Sequence, residues 1–239
     1  MTEIKALLFD KDGTLFDFSA TWEAWAAGFL TRLSAGSDER AIALGHRIGF
    51  DFKNRKFSPD SIVIAGTPAE VVQMLAPQVP ELSPDALLDL LNEEAEMAPQ
   101  LEAVPLLPLL KLLREKGLAL GVATNDAEAP AQAHLAEAGI TDMFDFIAGF
   151  DSGHGAKPGP GQLLAFASKI GVEPGHIAMI GDSTHDMVAG RAAGMVCIAV
   201  LTGLATSRDL EGHADVVLRD IGDLRRAGRS AHQTGAFGY

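Results

Sequence analysis

The most informative segment of the chain is IKALLFDKDGT, residues 4–14. Its first six residues form a largely apolar run that is typical of a buried β-strand, and Gly13 supplies a turn residue just beyond it. Asp10 and Asp12 therefore directly follow a first strand, at the sheet edge where open α/β proteins bind ligands. Two nearby carboxyl groups can be held in different protonation states, so one can act as a nucleophile and the other as a proton donor.

The second half of the chain alternates between apolar runs and amphipathic segments. The predicted strands are residues 118–124, 144–149, 177–181, 196–201 and 216–218. The predicted helices are residues 128–138, 161–170 and 186–193, each followed by a glycine. This alternation indicates βαβ units with right-handed crossovers. We therefore predict an α/β fold, a doubly wound Rossmann-like parallel sheet.

The stretch between the first strand and residue 118 has a different character. Residues 18–33, 38–48, 67–75, 84–97 and 105–116 are predicted to be helical, with no convincing strand among them. The last of these helices belongs naturally to the βαβ core. We predict an inserted all-helical domain at residues 18–98, and a catalytic core formed by residues 1–17 and 99–239.

The overall charge and the cysteine content narrow the classes of function. A formal net charge of −13 argues against nucleic acid or an anionic membrane as the main partner. Cys197 is the only cysteine, which suits a reducing compartment. No uncharged apolar run reaches the roughly 18 residues expected of a membrane span. We expect a cytoplasmic protein without a membrane partner.

Four short motifs occur in order, and three of them follow predicted strands. They are the DKDGT that begins at Asp10, the Thr124-Asn125 pair, Lys157, and the GDSTHD that contains Asp182 and Asp186. Together they resemble the motifs of the haloacid dehalogenase-like hydrolase superfamily, and the resemblance extends from residue 4 to about residue 215. It implies phosphoryl transfer and identifies the helical insertion as a cap over the active site.

Phosphoryl transfer requires a nucleophile, cations around the phosphate and a proton for the leaving group. We expect Asp10 to attack phosphorus and form an acyl-phosphate, with Asp12 as general acid and then general base. We expect Mg²⁺ to be bound by Asp10, Asp182 and the backbone carbonyl of Asp12. Asp186 would act through water or orient Lys157. The alternative is that Asp10 and Asp12 only make turn hydrogen bonds and that Asp186 only stabilises a helix N-terminus.

Thr124 and Lys157 are expected to hold the transferring phosphoryl group, because a hydroxyl and an ammonium group both donate to phosphate oxygens. Asn125 would support them. Gly13 and Thr14 are expected to form a turn whose backbone amides face the phosphate. The residue between the two acids is variable in the motif, so no role is inferred for Lys11, and no partner can be named for His134.

The acid at position 12 indicates which reaction the superfamily member catalyses. Resembling dehalogenases lack an acid there because a halide leaves without a proton, so Asp12 points to phosphate esters. The cap is similar to that of small-molecule phosphatases, phosphoglycolate phosphatases in particular, and it would exclude protein or nucleic-acid substrates. For 2-phosphoglycolate, Arg55 in the basic stretch KNRK is the expected reader of the carboxylate. The alternative is that these basic residues only form a solvated surface.

The expected substrate is thus a small phosphorylated metabolite. Two other functions stay open: a phosphomutase similar to β-phosphoglucomutase, and a signalling module in which an aspartate accepts a phosphoryl group. The caps of such proteins occur in monomers and in dimers, so both a monomer and a homodimer are compatible with the sequence.

Overall fold

The computed structural model describes residues 3–225, so residues 226–239 of the predicted core lie outside the described range. The strands are β1 (Ala6–Phe9), β2 (Phe50–Asp51), β3 (Lys56–Phe57), β4 (Ala119–Ala123), β5 (Phe146–Ala148), β6 (Ile177–Gly181), β7 (Val196–Val200) and β8 (Val216–Leu218). The helices are α1 (Phe18–Leu33), α2 (Asp38–Arg47), α3 (Pro68–Leu75), α4 (Pro84–Glu96), α5 (Leu106–Glu115), α6 (Glu128–Glu137), α7 (Gly161–Ile170), α8 (Thr184–Ala193) and α9 (Ser207–Leu210).

Six strands form one parallel sheet in the order β5-β4-β1-β6-β7-β8. The first strand lies in the middle, with Phe9 paired to Val122 of β4 on one side and to Ile180 of β6 on the other. The chain builds outward from β1 in one direction and then returns to build in the other. This reversal next to β1 creates the crevice in which such sheets bind ligands. The predicted fold class is confirmed.

Helices cover both faces of the sheet, because alternate residues of each strand point to opposite sides. In β1, Leu7 and Phe9 join the cluster formed with α5 and α6, whereas Ala6 and Leu8 join the cluster formed with α7 and α8. Both faces of the sheet are therefore shielded from water by helices. The strands are near-continuous apolar runs, as expected of a buried parallel sheet.

The insertion between β1 and β4 has a hydrophobic core of its own. Helices α1 to α4 bury a cluster that includes Phe29, Leu75 and Leu87, separate from the clusters on the sheet. The four predicted helices are present, but the prediction of an all-helical insertion was wrong in one place. Strands β2 and β3 form a short antiparallel hairpin, with Phe50 opposite Phe57. Two-residue strands are too short to show any periodicity in a sequence.

Two chain segments connect the insertion to the core, and they are hydrogen-bonded to each other. The Asp17 amide donates to the Leu101 carbonyl at 2.8 Å, and the Ala103 amide donates to the Leu15 carbonyl at 2.9 Å. Asp17 also caps α1, because its carboxylate accepts the Ala20 amide at 2.7 Å. The entry into the insertion is therefore fixed on both sides, directly after the residues that follow β1.

Within residues 3–225, no helix has the length and the apolar character that a membrane crossing requires.

Gly121 in β4 leaves no room for a side chain between the sheet and α7. A Cβ added there would lie 2.8 Å from the Phe166 ring and 2.9 Å from a Leu8 methyl group. We expect Gly121→Ala to lower the free energy of unfolding by about 1–3 kcal/mol, because α7 would be pushed off the sheet. Chemical denaturation would measure the loss. In the matched control Gly175→Ala the new Cβ has no neighbour within 4 Å, and equal losses in both variants would contradict the packing argument.

Candidate active site

Three adjacent strands end in polar side chains at the same sheet edge. Asp10 follows β1, Thr124 follows β4 and Asp182 follows β6. The register makes these positions neighbours, since Phe9 is paired with both Val122 and Ile180. All three side chains are buried. The sequence prediction that these residues lie together therefore agrees with the structure.

Lys157 forms the centre of this group. Its Nζ donates to Asp10 Oδ1 at 2.5 Å and to Asp186 Oδ1 at 2.6 Å, and its side chain is only 3% exposed. Asn125 positions the lysine backbone, because its amide oxygen accepts the Lys157 N–H and its amide nitrogen donates to the Lys157 carbonyl, both at 2.9 Å. Asn125 thus supports the site, as predicted, rather than pointing its amide at a ligand.

Asp186 shares its carboxylate between the lysine and its own helix. Oδ2 accepts the Ser183 amide at 3.0 Å and the Ser183 hydroxyl at 2.6 Å, while the Ser183 hydroxyl in turn accepts the Asp186 amide. This capping box fixes the first turn of α8. Asp186 therefore caps α8 and contacts the Lys157 ammonium, while its role as a metal ligand through water stays a prediction.

The carboxyl groups lie where little water reaches them, so the repulsion between their negative charges is poorly screened. Burial raises the pKa of Asp10 to about 7, against the opposing effect of the Lys157 ammonium. Burial, together with Asp10 and Asp186, raises the pKa of Asp182 well above its usual range. For Lys157, burial alone would lower the pKa, but Asp10 and Asp186 outweigh it and the pKa is raised. One ammonium group therefore faces more negative charge than it can neutralise.

The donor set fits a hard divalent cation. Asp10, Asp182 and Asp186 each offer an oxygen, and these oxygens lie within 4.8 Å of one another. Oxygen-only carboxylate sites are the kind that Mg²⁺ occupies, and a cation would offset the burial and the mutual repulsion that raise the pKa values of Asp10 and Asp182.

The Asp182 side chain packs directly against two glycines, where any other residue would clash with it. A Cβ on Gly13 would lie 2.4 Å from Asp182 Oδ2, and one on Gly203 would lie 1.6 Å from the same atom. Gly13 also has a φ of +79°, which a residue with a side chain adopts only at a cost. The prediction that the Gly13 amide faces a phosphate was wrong, because this N–H donates to the Phe16 carbonyl at 2.7 Å. Gly13 and Thr14 do not line the cavity described below.

A second charged network lies beside the first, around Lys11. The lysine is fully buried, with Nζ 2.9 Å from Asp12 Oδ1, 3.4 Å from Asp126 Oδ2 and 2.9 Å from His134 Nδ1. Its ammonium also lies 5.5 Å from the centre of the Trp22 ring. Burial alone would lower the pKa of Lys11, but Asp12 and Asp126 outweigh it and the pKa is raised.

The lysine also determines the state of His134. An ammonium group can only donate, so Nδ1 must accept, and the proton of the ring lies on Nε2. That atom is 2.7 Å from the Ala95 carbonyl in α4, to which it donates. Burial and the Lys11 charge lower the pKa of His134 to about 4. Burial raises the pKa of Asp126 to about 6, partly offset by Lys11.

A cavity lies over the sheet edge, between the core and the insertion. The core contributes the charged residues Asp10, Asp12, Asp126, Lys157, Asp182 and Asp186, together with Thr124, Asn125, Ser183 and His185. The Thr124 hydroxyl accepts the Asp126 amide at 3.1 Å, which leaves its own proton to donate into the cavity. The insertion contributes mainly apolar side chains from α1, from α3 and α4, and from the loop at 63–66.

Arg55 is not part of this cavity. It is exposed and lies in the turn between β2 and β3 with a φ of +52°. Conversely, Lys11, Asp126, His134 and the aromatic residues of α1 were not predicted to act at the site. The aromatic spacing from Phe18 to Trp22 and Trp25 places all three on one helix face, a signal that was available in the sequence.

The family follows from comparison with known proteins. A family model described as haloacid dehalogenase-like hydrolase matches residues 4–194. The chain belongs to this family. The segment includes every motif discussed above, from the acids after β1 to the capping box of α8.

Individual relatives agree with the family. The probable phosphatase IndB of Dickeya dadantii is 37% identical over 111 residues, 46% of this chain and 48% of that protein. A phosphoglycolate phosphatase of Haemophilus influenzae is 34% identical over 116 residues, 48% of this chain and 52% of the relative. The matches thus span about half the length of these two proteins. The crystal structure of a predicted phosphoglycolate phosphatase from Haemophilus somnus 129pt has a TM-score of 0.72 at 20% identity, and the match covers 95% of this chain and 99% of that one.

The buried Lys11 network predicts a large cost for its removal. We expect Lys11→Met to lower the free energy of unfolding by about 3–5 kcal/mol, because Asp126 and His134 would be left buried without their partner. Urea denaturation would measure this loss. Lys5→Met, at an exposed position before β1, should change the stability by less than about 0.5 kcal/mol. A similar, small change in both variants would contradict the proposed pairing.

The carboxylate cluster predicts a pH-dependent response to metal. In the metal-free protein, a carboxyl whose pKa is raised to about 7 stabilises the fold below its unfolded pKa, and this contribution is lost as pH rises through about 7. Mg²⁺ competes with the proton, so we expect the Tm increase caused by Mg²⁺ to grow from about pH 5 to about pH 8. Asp182→Asn should abolish most of it, whereas the exposed Asp142→Asn should not. An increase that is independent of pH would exclude metal binding at these carboxyl groups.

Proposed function

We propose that the protein is a Mg²⁺-dependent phosphatase that hydrolyses small phosphate monoesters through an aspartyl-phosphate on Asp10. The observation that carries the proposal is the contact of Asp10 with Lys157 beside Asp182, at the floor of a cavity that Asp12 also lines. A nucleophile, a proton donor and a phosphate-binding cation thus meet in one place. The phosphatase names of the two relatives support the same chemistry.

In the first step a carboxylate oxygen of Asp10 attacks phosphorus, and the bond from phosphorus to the ester oxygen breaks. Asp12 gives its proton to the departing alkoxide, which leaves as an alcohol. In the second step water attacks the same phosphorus, and Asp12 takes its proton. Phosphate then leaves and the Asp10 carboxylate is restored.

The remaining residues stabilise the phosphoryl group during both steps. Lys157 carries a fixed positive charge next to Asp10, and the Thr124 hydroxyl can donate to a phosphoryl oxygen. Mg²⁺ would be held by Asp10, Asp182 and the backbone carbonyl of Asp12, and it would supply the positive charge that a phosphate dianion needs beside carboxylates. Asp186 contributes through Lys157, whose ammonium it holds.

The insertion is proposed to act as a cap that excludes bulk water and that limits the substrate to a small molecule. We propose no nucleic-acid or membrane partner, in line with the charge of −13. A monomer and a homodimer are both compatible with a cavity that is lined by a single chain.

The proposal is tested by phosphate release from a panel of small monoesters, with Mg²⁺ and with chelator. We expect Asp10→Asn to reduce kcat below about a thousandth of the wild-type value, because the attacking atom is replaced by an amide. The control Asp142→Asn removes an exposed acid outside the cavity and should retain full activity. Release that persists in Asp10→Asn, or that is unaffected by chelator, would contradict the mechanism. A variant that retains its circular dichroism spectrum shows that the loss is chemical.

A further inference from the structure

The cap side of the cavity presents an apolar wall to the reacting centre. We define this wall by Phe18, Trp22 and Trp25 of α1, Val63 and Ile64 of the loop between β3 and α3, and Leu91 of α4. The three aromatic residues recur at helical spacing, and their rings contact one another: the centroids are 6.5 Å apart for Phe18 and Trp22, and 5.2 Å apart for Trp22 and Trp25. Trp25 is also stacked on Phe29. The wall is therefore a packed, rigid surface.

Several polar atoms in and beside the wall are already bonded within the protein, and the Trp22 indole N–H is the one side-chain donor of the wall for which the described residues provide no partner. The Trp25 indole N–H donates to the Leu91 carbonyl at 3.2 Å. The Ala65 carbonyl accepts from Asn125 at 2.9 Å, and the Gly66 amide donates to Ile62 at 2.9 Å. Thr67 is occupied by its capping box with Glu70. The side of the cavity that the insertion forms thus offers mainly carbon surface to a ligand, with no charged group among its described residues.

Charge lies on the opposite side. Among the cavity-lining residues in the described part of the chain, Lys157 is the only lysine or arginine, and Asp10 and Asp186 engage it. Lys11 lies behind Trp22 and does not line the cavity. His185 also lines it, but from the core side, at the start of α8. A substrate carboxylate that pointed at the wall would lose its hydration without gaining a cation.

We propose that the substrate is a phosphate monoester whose leaving group is uncharged and apolar, an alkyl or aryl alcohol. The proposal rests on the phosphatase function above and specifies its substrate class. The wall excludes water from such a group and gains free energy in proportion to the apolar area that is covered. Phosphate esters of hydroxy acids and of sugars are disfavoured, because their carboxylate or hydroxyl groups would meet carbon. The same wall argues against sugar phosphomutase activity.

The test compares esters of primary alcohols, so that the chemistry of the leaving oxygen stays similar. Isobutyl phosphate has the shape of 2-phosphoglycolate with methyl groups in place of the carboxylate oxygens. Benzyl phosphate extends the apolar series, and glycerol 1-phosphate provides hydroxyl groups. We expect kcat/KM for isobutyl or benzyl phosphate to exceed that for 2-phosphoglycolate and for glycerol 1-phosphate by at least about tenfold, the ratio expected for one well-buried apolar group.

A charge placed in the wall should change this preference. Ile64 is half-buried in the loop, so Ile64→Lys alters the surface without removing a buried core residue. It should lower the preference for isobutyl phosphate over 2-phosphoglycolate by about tenfold or more. Met74→Lys adds the same charge on the cap but outside the cavity, at a position that is 47% exposed. That control should leave the ratio unchanged.

The outcomes separate the two proposals. If 2-phosphoglycolate or glycerol 1-phosphate is preferred, the apolar leaving group is wrong while the phosphatase stands. An unchanged ratio in folded Ile64→Lys likewise overturns the role of the wall. If folded wild-type protein with Mg²⁺ releases phosphate from none of the esters, the phosphatase itself is refuted.

Discussion

Repulsion among carboxylates at one sheet edge is the constraint on which the site depends. A parallel sheet brings the ends of neighbouring strands together, so the acids after β1 and β6 are forced into proximity in a region with little water. Lys157 offsets part of this repulsion, since its ammonium contacts both Asp10 and Asp186. The loop that carries the lysine is held in turn by Asn125, one residue after Thr124. The lysine that is proposed to bind the phosphoryl group is therefore also the residue that holds the carboxylates in place.

The two acids of the DKDGT motif form ion pairs with different lysines. Asp10 is paired with Lys157, whereas Asp12 is paired with Lys11, which is its neighbour in the chain. This division gives the two carboxyl groups different surroundings although only one residue separates them. Because burial raises the pKa of Asp10, its ionised, attacking form depends on Lys157 and on the cation that is proposed to bind beside it.

Much of the fold could be predicted because the strands of the sheet are visible as local patterns of apolar residues in the sequence. Strands β1, β4 and β6 are short apolar runs that are followed by polar residues, so their ends could be located to within a few residues, and with them Asp10, Thr124 and Asp182. The β2–β3 hairpin has no such pattern in the sequence. Its turn places Arg55 away from the cavity, and no rule of composition could reveal this.

The contact between Lys11 and His134 could not be predicted from the sequence, for a different reason. These two side chains are 123 positions apart, and neither carries a local signal of the pairing. The Gly13 amide was misassigned because its partner, Phe16, is determined by how the chain turns toward the insertion. The aromatic face of α1 was visible in the spacing, but its spacing alone resembles that of any helix with a buried face. Only the position of the helix above the acids shows that part of that face borders the cavity.

The bond between His134 and Ala95 has a consequence for the motion of the cap. The imidazole belongs to α6 of the core and the carbonyl to α4 of the cap, and both are buried. A rotation that lifted α4 would separate the two and would also move Trp22 away from the Lys11 ammonium. Each separation exposes a polar group that must find water instead. Any opening of the proposed cap would therefore have to break this hydrogen bond, which favours the closed arrangement.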